Sequence, residues 1–288
     1  MITVRLMGGL GNQMFQYALG RHLSLINKDK LKLDLSGYNK QPSSDTLRNY
    51  ELSIFDIPKQ IINISKNKLL TGNGWYHRIL NRLGLNYKYV KEKNKFFNKE
   101  ILKLNGNLYL NGYWQCEDYF KNIRKTLLKE FTVQSKLNKK NRLMLKRIKT
   151  ASSVVIHIRR TDYVNSPKTN KYHGGCTLNY YKKAVKKIKN KIKNPVFFVF
   201  SDDIEWCRKN VKLGGRVVFV NINNPKKGYE DLRLMKNCKH FITTNSSFSW
   251  WGAWLSENKN KIIIAPQDWF NYVNEGSLIP KSWIRVKN

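Results

Sequence analysis

Short apolar runs rich in Val, Ile and Phe recur through the second half of the chain, separated by helix-like patterns. Such runs predict strands buried on both faces, because helices that cover both sides of a sheet leave no polar face. The alternation of strand and helix therefore predicts a parallel α/β layer. We expect strands at 154–158, 196–200, 217–220, 241–244 and 262–265, and helices near 178–192, 204–211, 229–239 and 247–256.

The first half opens with the same rhythm and then becomes less regular. A strand over 2–7, a tight glycine loop, a helix over 14–26 and a strand over 31–35 are followed by an Asn/Lys-rich stretch, 36–105, that has the pattern of insertions. A strand over 108–114 and helices over 117–131 and 136–149 complete this half. We therefore predict two doubly wound domains with a cleft between them, 1–150 and 151–288, with a C-terminal tail able to return to the first domain.

Composition limits the function less than the strand pattern does. The formal net charge is +35, and 41% of the residues are hydrophobic, so the chain is globular and attracts anions of every kind. Nucleic acid, an anionic membrane and phosphorylated small molecules are all admissible partners. The four cysteines have no metal-ligand spacing and indicate reduced thiols, and no apolar run reaches the length of a membrane span. We expect a cytoplasmic location.

A hydroxyl- and tryptophan-rich segment, Thr243–Trp254, begins where a predicted strand gives way to a helix. Ser246 or Ser247 suits the N-cap, because a short oxygen-bearing side chain satisfies the free amides of a helix start. Those amides, the hydroxyls and the helix dipole together form an anion site. The three tryptophans are expected to pack the helix against the sheet.

Two arginines end the first strand of the second half. Arg159 and Arg160 offer forked, permanently charged donors that match a pyrophosphate, and Asp162 could orient one of them. The alternative is a solvated ion pair at the sheet edge.

Acidic pairs occur at two further strand or helix ends, and each has two interpretations. Asp202 and Asp203 follow a strand and are expected to cap the next helix, although a metal site is the alternative. Glu230 and Asp231 open another helix, where they either complement its dipole or accept hydrogen bonds from a guanine edge.

The glycine loop and the basic helices are weaker signals. Gly8–Gln13 resembles a dinucleotide turn, but Met14 stands where the third glycine belongs, so Asn12 is better interpreted as an amide at a helix mouth. The lysine-rich helix after Tyr181 is an amphipathic core helix that could also lie on an anionic leaflet.

Five motifs in order resemble the bacterial α-1,2-fucosyltransferases across residues 2 to about 270. They are GGLGNQMFQYALG, GYWQCEDYF, HIRRTDY, FSDD and TTNSSFSWWGAWL. The resemblance implies an inverting, metal-independent transferase with two facing Rossmann-like domains of the GT-B type. Its donor would be GDP-β-L-fucose, its acceptor O2 of a terminal galactose, and its product a lipopolysaccharide or O-antigen glycan.

The resemblance also assigns roles to residues. Arg159 and Arg160 would hold the donor pyrophosphate, together with Ser246 and Ser247. His157 and Asp231 would contact the guanine end, and Asn12 would face the cleft. The second domain is then the donor domain and the first the acceptor side.

The general base is the point where the sequence departs from the related α-1,6 enzymes. Those enzymes carry a glutamate five residues after the aspartate of the HxRRxD motif, where this chain has Pro167. Asp162 and Glu117 are the remaining candidates. Implied partners are a galactose-terminated oligosaccharide or lipid-linked glycan, and an anionic inner-membrane face.

Two other classes of protein stay open on the sequence alone. A basic nucleic-acid-binding protein fits the charge but lacks a recognisable motif, and an NAD-dependent oxidoreductase fits the glycine loop but lacks its third glycine.

Overall fold

In the computed structural model the chain divides into two units, and the structure describes residues 1–39, 47–58, 61–62, 87–160, 174–270 and 277–288. The first unit comprises Met1 to Gln134 together with Ser277 and Leu278. The second unit comprises Ser135 to Phe270 and Ile279–Asn288. The boundary between the units after Gln134 thus lies before the helix predicted over 136–149, which we expected to be the last element of the first domain. That helix packs against a strand and a helix of the second unit.

The described strands of the first unit form a parallel sheet in the order β3-β2-β1-β5-β4. Its strands are β1 Ile2–Arg5, β2 Leu31–Asp34, β3 Ile61–Ile62, β4 Lys88–Lys91 and β5 Leu108–Asn111, and its α-helices are α1 Leu10–Ile26 and α2 Arg124–Glu130. Short 3-10 helices lie at Ser36–Tyr38, Leu52–Ile54, Lys99–Lys103, Glu117–Tyr119 and Lys121–Ile123.

Three expectations for this unit need correction. The stretch 36–105 is not only insertion, because it supplies the edge strands β3 and β4. Helix α1 begins at Leu10, since extended Gly9 serves as its N-cap, so Asn12 belongs to the first turn of the helix. The expected helix over 117–131 starts as two 3-10 turns and becomes α-helical only at Arg124.

The described strands of the second unit form a parallel sheet in the order β8-β7-β6-β9-β10-β11. Its strands are β6 Ser153–Ile158, β7 Val196–Ser201, β8 Arg216–Phe219, β9 His240–Ile242, β10 Ile263–Pro266 and β11 Ile284–Val286. Its helices are α3 Lys139–Thr150, α4 Leu178–Lys189, α5 Ile204–Asn210, the 3-10 helix Pro225–Lys227, α6 Gly228–Met235 and α7 Ser247–Trp254. The predicted strands and helices of this half are confirmed to within a few residues, and β11 was not predicted.

The order of these strands is the Rossmann order 3-2-1-4-5-6. One face of the sheet packs on α4 and α5, where Ile156 and Ile158 join a continuous apolar core. His157 alternates with them and its ring lies 5.6 Å from that of Phe248 in α7, so the opposite face carries α7. Helices therefore cover both faces, and the predicted doubly wound α/β class is confirmed.

Candidate functional site

The strand order of the second unit reverses between β6 and β9, which lie side by side. In open parallel sheets, ligands bind beyond the carboxyl ends of the strands at such a reversal. The residues directly after β6 are Arg159 and Arg160, and those after β9 lead through Asn245 to Ser246. The two strongest motifs of the sequence therefore meet at the position where this fold binds its ligands.

Carboxylates at the end of the neighbouring strand β7 hold both arginines. Arg159 Nε lies 3.2 Å from Asp202 Oδ2, and the backbone amide of Arg160 donates to Asp202 Oδ1 at 2.9 Å. Arg160 Nε donates to Asp203 Oδ2 at 3.2 Å. Both guanidinium groups are partly buried, with 24% of each side chain exposed. The arrangement fixes the direction of two cations at the sheet edge.

Arg160 is also stacked on an aromatic ring. Its guanidinium carbon lies 3.7 Å from the centre of the Trp206 ring, in the first turn of α5. Asp203, which accepts from Arg160, also caps this helix by accepting from the amide of Trp206 at 3.1 Å. The predicted capping role is confirmed for Asp203. Its Nε is engaged by Asp203, and the guanidinium has four further N–H donors.

The helix α7 begins at the serines, as predicted. Ser246 is the N-cap and accepts from the amide of Phe248 at 3.3 Å, while Ser247 is the first helical residue; both are partly exposed. The preceding residues are anchored, since buried Asn245 donates to the carbonyl groups of Gly174 at 2.7 Å and of Trp269 at 3.2 Å. The free amides of a helix start and two hydroxyl groups are therefore held at the end of β9.

The tryptophans of α7 are packing residues, as predicted. Trp250 and Trp251 are fully buried and Trp254 is 4% exposed. Trp250 stacks on Trp254 with ring centres 6.0 Å apart, and it contacts Trp283 at 5.5 Å. This aromatic cluster fixes where the serine-capped helix begins.

His157 is buried at the end of β6, and its Nδ1 has no hydrogen-bond partner within the part of the chain that the structure describes. Burial lowers the pKa of His157 to about 4, and the positive charge of Arg159 adds to this while Asp202 opposes it. The imidazole is therefore neutral at physiological pH. A buried nitrogen without a hydrogen bond is costly, so this position needs a polar partner from beyond the described residues.

Asp231 lies in the first turn of α6 and is held by an amide network. Its Oδ1 accepts from Asn223 Nδ2 at 2.8 Å, and Asn223 exchanges hydrogen bonds with buried Asn141 of α3. Burial raises the pKa of Asp231 to about 6, Asn223 opposes this by its hydrogen bond, and the charge of Glu230 adds to the rise. Neighbouring Glu230 instead pairs with Arg233 at 3.3 Å.

The remaining predicted site residues divide between the first unit and the undescribed part of the chain. Asn12 is partly exposed in the first turn of α1, and its Oδ1 accepts from Gln115 Nε2 at 2.8 Å. Glu117 is partly exposed at the start of a 3-10 helix. Asp162 and Pro167 lie outside the described residues. The structure thus brings Arg159, Arg160, Ser246 and Ser247 to one sheet edge within the second unit.

Sequence reasoning missed the residues that hold the site together. Asp202 was interpreted only as part of a cap or a metal site, yet it binds both arginines. Trp206, Asn223 and Gln115 were not singled out. The only signal for Asp202 was its position directly after a predicted strand, because the carboxyl ends of parallel strands lie at one edge of a sheet.

Metal clusters and membrane-spanning helices are both absent from the described residues. No group of three or more His, Cys, Asp and Glu side chains in these segments is placed to hold a metal ion. None of the helices in the same segments is long and apolar enough to cross a membrane.

Comparison with protein families gives a match over nearly the whole chain. The model described as glycosyl transferase family 11 matches residues 1–287. The chain belongs to glycosyl transferase family 11. It is therefore an enzyme of the fucosyltransferase type, and the nucleic-acid-binding and oxidoreductase alternatives are not favoured.

Several proteins similar to this chain are named as glycosyltransferases. An α-1,2-colitosyltransferase from Escherichia coli is 36% identical, with 99% of each chain covered. The O-antigen biosynthesis glycosyltransferase WbnK from the same species is 32% identical over 98% of this chain and 99% of that one. The mouse galactoside 2-α-L-fucosyltransferase Sec1 is 27% identical over 89% of this chain and 64% of its own length.

A solved structure supports the fold. A point mutant of Arabidopsis thaliana FUT1 in complex with GDP aligns with a TM-score of 0.51 and 9% identity, covering 91% of this chain and 69% of that one. At this identity the likeness concerns the fold, and it agrees with two parallel α/β units of the GT-B class.

Proposed function

We propose that this family 11 enzyme transfers L-fucose from GDP-β-L-fucose to O2 of a terminal galactose, with inversion at the anomeric carbon. The observation that carries the proposal is the pair of oriented arginines and the serine-capped helix at the strand-order reversal of a Rossmann-type sheet. The name of the mouse relative, a galactoside 2-α-L-fucosyltransferase, and the five sequence motifs support the choice of sugar and acceptor.

In the proposed reaction the galactose O2 attacks C1 of fucose as the bond from C1 to the β-phosphate oxygen breaks. GDP leaves with the electron pair, and the proton of the acceptor hydroxyl passes to a base. Negative charge grows on the leaving phosphate, and fixed donors aimed at that charge usually contribute most to catalysis. Arg159, Arg160 and the start of α7 would supply those donors.

The guanine end of the donor would lie at His157 and Asp231. An ionised Asp231 can accept hydrogen bonds from two adjacent N–H groups of guanine, and the neutral imidazole of His157 would supply a further polar group. Because Asn223 already donates to Asp231 Oδ1, the carboxylate is oriented before the nucleotide arrives.

We further propose that no metal ion takes part, because two arginines can neutralise the charge of the pyrophosphate. Activity that is unchanged after dialysis against a chelator supports this. Loss of activity that is restored by Mg²⁺ contradicts it.

Asp162 and Glu117 remain the proposed alternatives for the general base. Asp162→Asn and Glu117→Gln, compared at several pH values, separate them. The variant that lacks the general base should lose most of its transfer rate, and its pH–rate profile should lose the acidic limb. If neither variant does so, the base is another group.

Colitose is the second candidate sugar, because the E. coli relative that is 36% identical is named for it. It differs from L-fucose by lacking the 3-hydroxyl group. A site that hydrogen-bonds this hydroxyl rejects the deoxy sugar strongly, whereas a site without such a contact accepts both.

The test of the proposed function is transfer to lactose from GDP-fucose, with GDP-colitose and UDP-glucose as parallel donors. We expect an α-1,2-linked fucosyl product, identified by NMR, and stabilisation of the protein by GDP in a thermal-shift assay. Transfer from GDP-colitose alone would support the second candidate. If GDP does not stabilise the protein and neither GDP-sugar is a donor, both candidate functions are overturned.

We also propose peripheral contact with an anionic membrane, at the inner face where a lipid-linked acceptor would be available. The buried stripe of α4 contains Tyr181, Val185 and Ile188. The opposite face is exposed and carries Lys182, Lys183, Lys186 and Lys187. Such a face can bind anionic headgroups without exposing apolar side chains to water, since the apolar side of the helix stays packed in the core.

A matched pair of variants tests this contact. Four Lys→Gln changes on α4 should weaken binding to phosphatidylglycerol vesicles by roughly fivefold per lysine. The control carries four Lys→Gln changes on exposed positions of α3, at Lys139, Lys140, Lys146 and Lys149, with the same loss of net charge. Equal weakening in both variants, or no vesicle binding by the unchanged protein, would contradict a specific surface.

A further inference from the structure

An unusual turn follows β5 in the first unit. Trp114 has a φ of +55°, in the left-handed region that a bulky side chain rarely adopts, yet it is only 1% exposed. Backbone of this kind persists only where the surroundings enforce it, and it is concentrated at functional sites. The turn at Trp114 is therefore a candidate functional feature of the first unit.

Two neighbours enforce the conformation of the turn. The carboxylate of Glu92 accepts from the amide of Tyr113 at 2.8 Å and from the amide of Trp114 at 3.0 Å. Gly112 lies so close to Glu92 that a Cβ added at position 112 would be 2.3 Å from the Cβ of Glu92. The Trp114 ring packs edge-on against Tyr119, with centres 5.9 Å apart. The turn is thus held from its backbone and from its side chain.

The residue placed by this turn is Gln115. Its Nε2 donates to Asn12 Oδ1 at 2.8 Å, joining motifs that are 103 residues apart in the chain. Because Oδ1 accepts this bond, the orientation of the Asn12 amide is fixed. The Nδ2 group lies over Gly8, where a Cβ would be 2.5 Å away, and Gly8 itself has a φ of +74°. Glycine at position 8 therefore leaves room for the N–H₂ side of the amide.

We propose that Gln115 is a positioning residue that makes Asn12 a hydrogen-bond donor in the reaction, and that the strained turn at Trp114 serves to place Gln115. The inference rests on the proposed transferase function, and on the expectation from the family resemblance that Asn12 faces the cleft and takes part in catalysis. An amide fixed in this orientation stabilises developing negative charge on an oxygen atom. It does not accept the proton of the acceptor hydroxyl, so Asn12 is not the base.

Three variants test this role. Gln115→Glu keeps the shape but can only accept, so it turns the Asn12 amide round and points Oδ1 where Nδ2 had been. Gln115→Met removes the contact. The matched control is Gln134→Met, since exposed Gln134 Nε2 donates to Asp56 Oδ1 at 3.3 Å in the same unit.

We expect kcat to fall about 10- to 100-fold in both Gln115 variants, as for other groups that orient catalytic residues, with the donor KM changed by less than about twofold. The control should keep the kcat of the unchanged protein. In an Asn12→Ala background, Gln115→Glu should cause no further loss, because Gln115 acts through Asn12. Unchanged kcat in both Gln115 variants, or losses that add in the double variant, would overturn the proposal.

A readout that does not need activity keeps this test separate from that of the proposed function. The side-chain amide signals of Gln115 and Asn12 can be identified by NMR from their loss in the single variants. A hydrogen-bonded Gln115 amide proton should move to its free position in Asn12→Ala. If it does not move, the inference fails even when transfer is observed. If it moves in a protein that transfers no sugar, the contact stands and the proposed function fails.

Discussion

Replacing Arg160 by Lys tests the proposed pyrophosphate site most sharply, because charge is kept while geometry is lost. In the structure Arg160 uses Nε for Asp203 and its planar face for Trp206 at 3.7 Å, leaving its other N–H donors for a ligand. A lysine ammonium has no planar face to stack and no fork to offer. It can satisfy Asp203 or reach the phosphate, but it cannot do both in the same geometry.

The size of the effect follows from what is removed. Loss of one fixed donor to a developing negative charge lowers kcat by about 10²–10³, which corresponds to about 2.7–4 kcal/mol. We expect kcat/KM for GDP-fucose to fall within this range, measured by release of GDP at saturating lactose.

A matched control lies on the same helix as Trp206. Arg208 pairs with Glu205 at 3.5 Å and its guanidinium lies 5.2 Å from the Phe219 ring, but it is more exposed and follows no strand end. Arg208→Lys should therefore leave kcat/KM within about twofold, the range in which exposed pairs contribute little. Near-normal turnover in Arg160→Lys, or an equal loss in Arg208→Lys, would refute the reasoning.

Further predictions concern the guanine end, the helix start and the aromatic cluster. The pKa of Asp231 is raised to about 6, so its ionised form is lost as pH falls through 6. The donor KM should therefore rise about tenfold per pH unit below 6, and this pH dependence should be absent in Asp231→Asn. The same raised pKa means that Asp231 lowers folding stability as pH rises from about 4 to 6, so in urea unfolding Asp231→Asn should show a weaker fall in stability over this range than the unchanged protein. Ser246→Ala should lower stability by about 1 kcal/mol through the lost cap, whereas Ser247→Ala should weaken only GDP binding in calorimetry; equal loss of stability in both would contradict this. Trp250→Ala should cost about 3–5 kcal/mol in urea unfolding, and a smaller cost would mean that the cluster is not a packing unit.

The second unit was largely predictable because its sequence carries two independent signals. Buried runs such as Val154–Ile158 identify strands, and the polar residues that follow them identify a shared edge. Neither signal specifies which strands are neighbours. Placing Asp202 beside Arg159 required the pairing of β6 with β7, which only the structure gives.

The first unit was less predictable, for physical reasons visible in its residues. Strand β4 has the sequence Lys-Tyr-Val-Lys, with only Val90 buried, because an edge strand needs few apolar side chains. The turn at Trp114 depends on the carboxylate of Glu92, 22 residues away in sequence from Trp114, so no local pattern indicates it. The boundary after Gln134 depends on packing of α3 on the second unit, which its amphipathic pattern does not reveal.

A crystal structure with bound GDP is the most direct measurement of the central claim. We predict a pyrophosphate within hydrogen-bonding distance of Arg159, Arg160 and the first amides of α7, with guanine at His157 and Asp231. GDP bound elsewhere, or a pyrophosphate that contacts neither the arginines nor the helix start, would contradict it.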